Sequence, residues 1–213
     1  MATPVGLNLR EKGKLERRKR IERAAREVFR ERGFDAATTR EIAARAGVGN
    51  ATLFLYARDK TQLLAWVFRD ELAAVNDSAL TPSTGDEPLI DRLERFFRPR
   101  YELWARDPRL SRAAVRAALM AHTERGRERD GDPIATLWPR LVERIAAVVT
   151  MNQRDGAIDP SVDPQVAARL VFDVYSTEVH EWLACPAPNV DAGLSQLRTV
   201  LALASRAMQK QPA

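Results

Sequence analysis

Apolar residues recur at spacings of three and four along most of the chain, and no segment alternates with the period of two that a half-buried strand requires. The first stripe, Ile21, Ala24, Ala25, Val28 and Phe29, lies on one helical face and is stopped by Gly33. Thr38 followed three residues later by Glu41 has the form of a capping box and starts a short helix. Gly47 stands where the chain needs a left-handed residue to leave that helix, and Val48, Leu53 and Phe54 resume an apolar face after a turn of about three residues. A fourth helix is predicted from near Lys60, with Asp59 as its cap and Leu63, Leu64, Val67, Phe68 and Leu72 facing inward.

Asn76 to Pro88 is rich in Ser, Thr, Pro, Gly and Asp, the composition of a connection. Beyond it, helical patterns run over 88–106, 108–128, 132–154 and 163–184, punctuated by Asp-Pro pairs, and a last one covers Val190 to Gln209. Pro99 and Pro139 fall inside these patterns and predict kinks. The expected fold is all-α with about nine helices. Its expected organisation is a disordered basic arm over 1–13, a three- or four-helix unit over 14–75 with a helix-turn-helix over 38–57, a linker over 76–87, and a helical regulatory and dimerisation domain over 88–210.

Charge adds direction to this pattern. The net charge is +5, but residues 1–60 carry 15 basic and 8 acidic side chains while residues 61–213 carry 19 and 21, so the first part is at +7 and the rest at −2. The first part is thus suited to a polyanion. No stretch reaches the roughly 18 apolar residues of a membrane span, and Met1 to Lys14 lacks the apolar core of a secretion signal, so a cytoplasmic protein is expected. The lone Cys185 has no disulfide partner and reads as a packed small residue.

A basic surplus, a capped short helix and a tight bend into a second short helix together point to double-stranded DNA. The exposed first turns of the second helix would read base edges in the major groove while neighbouring groups hold phosphates. Asn50, Ala51, Thr52, Leu55 and Tyr56 are the exposed candidates. Leu55 suits a thymine methyl group or is a plain exposed apolar residue, and the run from Lys14 to Arg20 is a phosphate-contacting arm or a solvated helix face.

The segments Thr38-Thr39-Arg40-Glu41-Ile42-Ala43, Gly47-Val48-Gly49-Asn50-Ala51-Thr52-Leu53-Phe54-Leu55-Tyr56 and Lys60-Thr61-Gln62-Leu63-Leu64 resemble the TetR family of bacterial regulators. The resemblance covers residues from about 15 to 75; beyond them only helix number and order agree. It implies a homodimeric repressor released from a palindromic operator by a small molecule. It also implies that Thr39 contacts phosphate, that Arg40 reaches a base or phosphate, that Asn50, Thr52, Leu55 and Tyr56 face the groove, and that Lys60 holds the DNA backbone. Thr38 is either a contact or only a cap. Three residues depart from the family pattern: Gly49 replaces a frequent capping serine, Ala51 a frequent glycine, and Phe54 a phosphate-contacting tyrosine. Without that hydroxyl, Phe54 is expected to pack against the first helix.

In the second domain the resemblance implies an apolar ligand pocket, for which Phe97, Tyr101, Trp104, Met120, Trp138, Phe172 and Tyr175 are candidates, with Phe96 beside them. It also implies pairing of the last two helices with those of a second copy, for which Val171, Val174, Leu194, Leu197 and Leu201 are candidates. His122 and His180 lack partners at metal spacing, so no metal and no cofactor is expected. An enzyme is disfavoured by the lack of a Gly-rich phosphate loop, a Gly-x-Ser-x-Gly elbow or paired cysteines. A DNA-binding regulator that answers to no small molecule, or one that activates, stays open.

Overall fold

The computed structural model describes residues 8–78, 87–123 and 137–209, and among them all regular structure is helical. The helices are α1 (Leu9–Arg32), α2 (Thr39–Arg45), α3 (Asn50–Phe54), α4 (Lys60–Ser78), α5 (Leu89–Ala105), α6 (Pro108–Thr123), α7 (Leu137–Arg154), α8 (Pro164–Ala184) and α9 (Val190–Arg206). The chain divides into two compact units, Met1–Phe68 and Arg69–Ala213, so the division falls within α4.

In the first unit, Ile21, Ala24, Ala25, Val28 and Phe29 are buried along α1, as their spacing predicts; Ile42 and Ala43 of α2, Leu53 of α3 and Leu63, Leu64 and Val67 of α4 are buried too, and α2 packs against α1 and α3. The helix begins earlier than the basic arm expected over 1–13. Asn8 caps it, accepting from Glu11 N at 2.9 Å while Glu11 Oε2 accepts from Asn8 N at 3.0 Å. Two reciprocal bonds satisfy end donors that would otherwise face water, so residues 9–13 belong to α1. The expected linker over 76–87 is shortened likewise: α4 continues to Ser78 and Asn76 is buried, while residues 79–86 lie outside the described residues.

The second unit is built around α8, which packs against α6, α7 and α9, while α5 packs against α6, α7 and α9. Asp163 starts α8, its carboxylate accepting from Gln165 N and Val166 N. Arg112 on α6 closes its other end, donating to the carbonyls of Leu183 and Cys185, a cation at the negative end of a helix. Cys185 is exposed, against the packed position expected, because it follows the last turn of α8. Ions join α5 and α9: Arg198 reaches Asp91 at 2.5 Å and Glu94 at 3.0 Å, and Arg98 reaches Asp191 at 2.8 Å. Helix α5 carries Pro99 internally, whereas Pro139 stands in the first described turn of α7, where a missing donor removes no bond within the described helix.

Gly193 sets the approach of α9. A Cβ there would lie 2.7 Å from Trp182 Cδ1 and 2.7 Å from Tyr101 Cε1, inside contact distance of two rings held in the core. Gly193→Ala is therefore expected to lower unfolding free energy by about 1–3 kcal/mol, read as a lower urea midpoint with unchanged m-value.

Candidate functional site

The turn between α2 and α3 is fixed by backbone chemistry. Gly47 has φ of 64°, and with Val48 N donating to Ala43 O at 3.0 Å and Gly47 N to Ala44 O at 3.1 Å it forms a Schellman end to α2. A side chain at this φ would be strained, so the bend depends on glycine. At the other end of α2, Thr38 Oγ1 accepts from Glu41 N at 3.2 Å and donates to Glu41 Oε2 at 2.9 Å, while Thr38 N donates to the same carboxylate at 3.0 Å. The Thr38 hydroxyl is thus engaged as a cap, the plainer of its two expected roles. Glu31 and Arg45 form an ion pair that ties the end of α2 to α1.

Helix α3 presents an outward surface. Asn50, Ala51 and Leu55 are exposed, Leu55 at 82%, with Thr52 and Tyr56 half-buried beside them. Phe54 is 46% exposed and does not pack away as expected; Leu53, at 0%, takes the inward position instead. Thr39 is half-buried and Arg40 exposed in the first turn of α2. Lys60 differs most from expectation: its ammonium donates to Asp35 O at 2.9 Å and Ala37 O at 3.1 Å and lies 4.6 Å from the Phe34 ring centre. It is held as a brace between α4 and the loop before α2, so its first role is to position that loop.

The basic residues of α1 lie beside this surface. Arg17 Nη1 donates to the Tyr56 hydroxyl at 3.3 Å, and Arg18 stacks 4.7 Å from the Trp66 ring centre. One groove is lined by Glu11, Lys14, Leu15, Arg18, Leu55, Tyr56 and Trp66, and another by Asn8, Arg10, Glu11, Lys14, Arg17 and Tyr56. The signal for Lys14, Arg17 and Arg18 was their charge run; their adjacency to Tyr56 depends on the angle at which α1 and α3 pack, which no local pattern encodes.

The second unit holds the expected aromatic residues. Phe97 stacks on Tyr175 with centroids 4.4 Å apart, Tyr101 stands 4.7 Å from Trp182, and Trp104 Nε1 donates to the Tyr175 hydroxyl at 3.0 Å. Phe97, Tyr101, Trp104, Phe172 and Tyr175 are all buried. A small cavity of about 10 Å³ is lined by Trp104, Phe172 and Tyr175, together with Val115, Ala118, Leu119, Ser176 and Val179. It has room for about one water. Met120, at 61% exposure, faces outward on α6 and is no part of this lining. Trp138 and His122 have side chains outside the described residues, and His180 is exposed. The expected interface residues mostly face inward too: Val171, Leu194, Leu197 and Leu201 are 1–2% exposed and Val174 is half-buried. Their stripe is the most apolar on each helix, so it is taken by the protein's own core; Val166, Leu170 and Leu203 are the large apolar residues left exposed on α8 and α9.

Residues 21–67 match the family of bacterial regulatory proteins, tetR family. The match takes in the helix-turn-helix of the first unit and ends before the second unit begins. It is 29% identical over 168 residues to the HTH-type transcriptional repressor KstR of Rhodococcus jostii, covering 79% of this chain and 73% of that one. With KstR of Mycobacterium tuberculosis it shares 26% over 176 residues, 83% of this chain and 75% of the other. The crystal structure of Thermus thermophilus FadR, a TetR-family repressor in complex with lauroyl-CoA, superposes with a TM-score of 0.70 at 25% identity, over 92% of this chain and 97% of that one. No described helix is long and apolar enough to cross a membrane.

Thr38→Ala is expected to cost about 1 kcal/mol of stability through the lost cap, measured by urea unfolding. The Thr38 hydroxyl holds the Glu41 carboxyl below its ordinary 4.5. The carboxylate's contribution is therefore present above pH 4.5 and is lost as the pH falls through the lower folded-state value. The stability difference between wild type and Thr38→Ala should shrink in acid; a difference that stays constant as the Glu41 carboxylate is protonated would contradict the Thr38–Glu41 carboxylate bond.

Proposed function

We propose that this regulator is a homodimeric repressor that reads a palindromic operator through α3 and is released by a small, largely apolar ligand held in its second unit. The observation that carries the DNA-reading part is the surface of Asn50, Ala51 and Leu55 beside the basic grooves of α1, with Tyr56 between them. The α3 residues would meet base edges, and Lys14, Arg17 and Arg40 the phosphates. Two such helices in a dimer would sit about 34–36 Å apart, one DNA turn, and a ligand that favours a different spacing would release the operator. The repressor names of the KstR relatives and the lauroyl-CoA in the FadR neighbour support this reading. Dimerisation is assigned to the outer faces of α8 and α9, through Val166, Leu170, Val174 and Leu203.

One observation favours a second reading, a regulator without a small-molecule ligand: the aromatic cavity is only about 10 Å³. A thermal-shift measurement with a panel of apolar and amphiphilic compounds, lauroyl-CoA, dodecanoate and 1-dodecanol among them, separates the two, because a ligand bound by the native state raises the melting temperature. No shift would favour the second.

The DNA reading is tested by selecting bound sequences from random duplex DNA with the purified protein at two salt concentrations. An enriched palindrome is expected; binding that is independent of sequence and collapses with salt would overturn it. On the selected operator, Arg40→Ala and Tyr56→Ala are each expected to weaken binding by about tenfold or more, with circular dichroism unchanged. Leu203→Asp is expected to sediment as a folded monomer, whereas Leu197→Asp places a carboxylate in the core and should unfold the second unit. A dimeric Leu203→Asp would remove α9 from the interface.

A further inference from the structure

Two arginines of α5 are buried, and the chain treats them differently. Arg92 is 4% exposed and meets the Asp155 carboxylate through Nη2 at 2.7 Å. Arg100, two turns further along, is 1% exposed, and among the described residues neither Nη1 nor Nη2 has a hydrogen-bond partner. Its described contact is the face of Phe96, 4.9 Å from the ring centre. Burial draws the guanidinium down to about 10, with the neighbouring Tyr175 opposing the fall, so it carries its charge at neutral pH. A buried cation left without a counter-ion is among the costlier arrangements in a protein interior.

The surroundings have unmet polar capacity of their own. Arg100 is four residues before Trp104 on α5, and Trp104 donates to the Tyr175 hydroxyl in the wall of the small cavity. In the same wall, Ser176 Oγ is buried without a partner; outside that wall, one residue beyond Arg100, the Tyr101 hydroxyl is likewise buried and unpartnered. The remaining lining, Val115, Ala118, Leu119, Phe172 and Val179, is apolar. An apolar wall with one unpartnered hydroxyl thus neighbours a buried cation and a second hydroxyl: the Tyr101 and Tyr175 rings are 6.3 Å apart, and Arg100 is close enough to Tyr175 to act on it electrostatically.

We propose that Arg100 is the anchor for an anionic group, and that the ligand of the second unit is an amphiphilic acid whose carboxylate pairs with Arg100 while its apolar body enlarges the cavity beside Trp104 and Phe172. The inference rests on the ligand-released reading above and narrows it. A guanidinium offers a planar fork that matches a carboxylate with two parallel bonds, and Ser176 and Tyr101 can complete the set. A coenzyme A thioester has no charge at its acyl carbonyl, so the free acid and the thioester present different groups to this residue. Unliganded, the site holds a charge that destabilises the fold; the acid relieves it, which gives the ligand its preference for the site.

The test titrates the full-length protein with dodecanoate, 1-dodecanol and lauroyl-CoA, each below its aggregation threshold, and follows tryptophan fluorescence and melting temperature. Wild type is expected to bind dodecanoate about tenfold or more tighter than dodecanol. Arg100→Met should abolish that preference while keeping the affinity for dodecanol, and should melt higher than wild type without ligand, because the unpaired charge is gone. Arg100→Lys, which keeps the charge and loses the fork, should retain a reduced preference. Equal binding of acid and alcohol by wild type would overturn the anchor while leaving an apolar ligand in place. So would binding of lauroyl-CoA alone, or an Arg100→Met protein that melts lower than wild type or fails to fold, since the guanidinium would then be structural. Failure of all three probes to bind wild type would overturn both the anchor and the ligand-released reading.

Discussion

Helix α8 has to bury its length against α6, α7 and α9 at once, and that demand organises the second unit. Ala167, Ala168, Val171, Phe172, Tyr175, Ser176, Val179, Trp182 and Leu183 are all buried along it, an arc of about half the helix circumference. A helix covered so widely has little freedom to choose its neighbours. Tyr175 carries three of the resulting constraints: it stacks on Phe97, it accepts from Trp104, and it stands 6.3 Å from the Tyr101 ring. Tyr101 in turn meets Trp182, and both press on the hydrogen-only face of Gly193. The position of α9 thus follows from the packing of aromatic rings between α5 and α8.

The DNA-reading unit is organised on a smaller scale and was more legible from sequence. A capping box, a left-handed glycine and an apolar stripe are local features, and each one specifies its geometry within a few residues. The start of α2, its exit at Gly47 and the burial of Leu53 on α3 are therefore found where the pattern puts them, whereas Phe54 is not. What local pattern cannot express is which partner an exposed polar atom finds. Lys60 carries its charge at a plausible phosphate position, yet two backbone carbonyls and the Phe34 ring reach it first. Arg17 was one cation in a run, and only the crossing of α1 past α3 brings it to Tyr56.

The second unit shows the other limit of a helical pattern. Periodicity identifies an apolar face but does not say whether the protein's own core or a second copy covers it. Leu194, Leu197 and Leu201 form the strongest stripe of α9, and a strong stripe is claimed by the nearest apolar partners, here on α5 and α8. A surface that meets another copy must also tolerate water before assembly, so the proposed one has sparser apolar residues: Val166, Leu170 and Leu203 among charged and hydroxyl side chains. Met120 reflects the same ambiguity, because on α6 its neighbours Val115, Ala118 and Leu119 fill the inward positions.

A nearly closed cavity and a ligand-controlled regulator are compatible if the empty site is not the most relaxed one. Packed interiors resist gradual deformation, so a ligand acts by stabilising an alternative packing rather than by stretching the existing one. Such a switch requires the two packings to lie within a few kcal/mol of each other. An uncompensated charge at Arg100 and unpaired hydroxyls on Tyr101 and Ser176 raise the free energy of the closed state locally, where the ring stack of Phe97 and Tyr175 would otherwise make it rigid. The same residues that make the closed core imperfect therefore also determine which chemistry can open it.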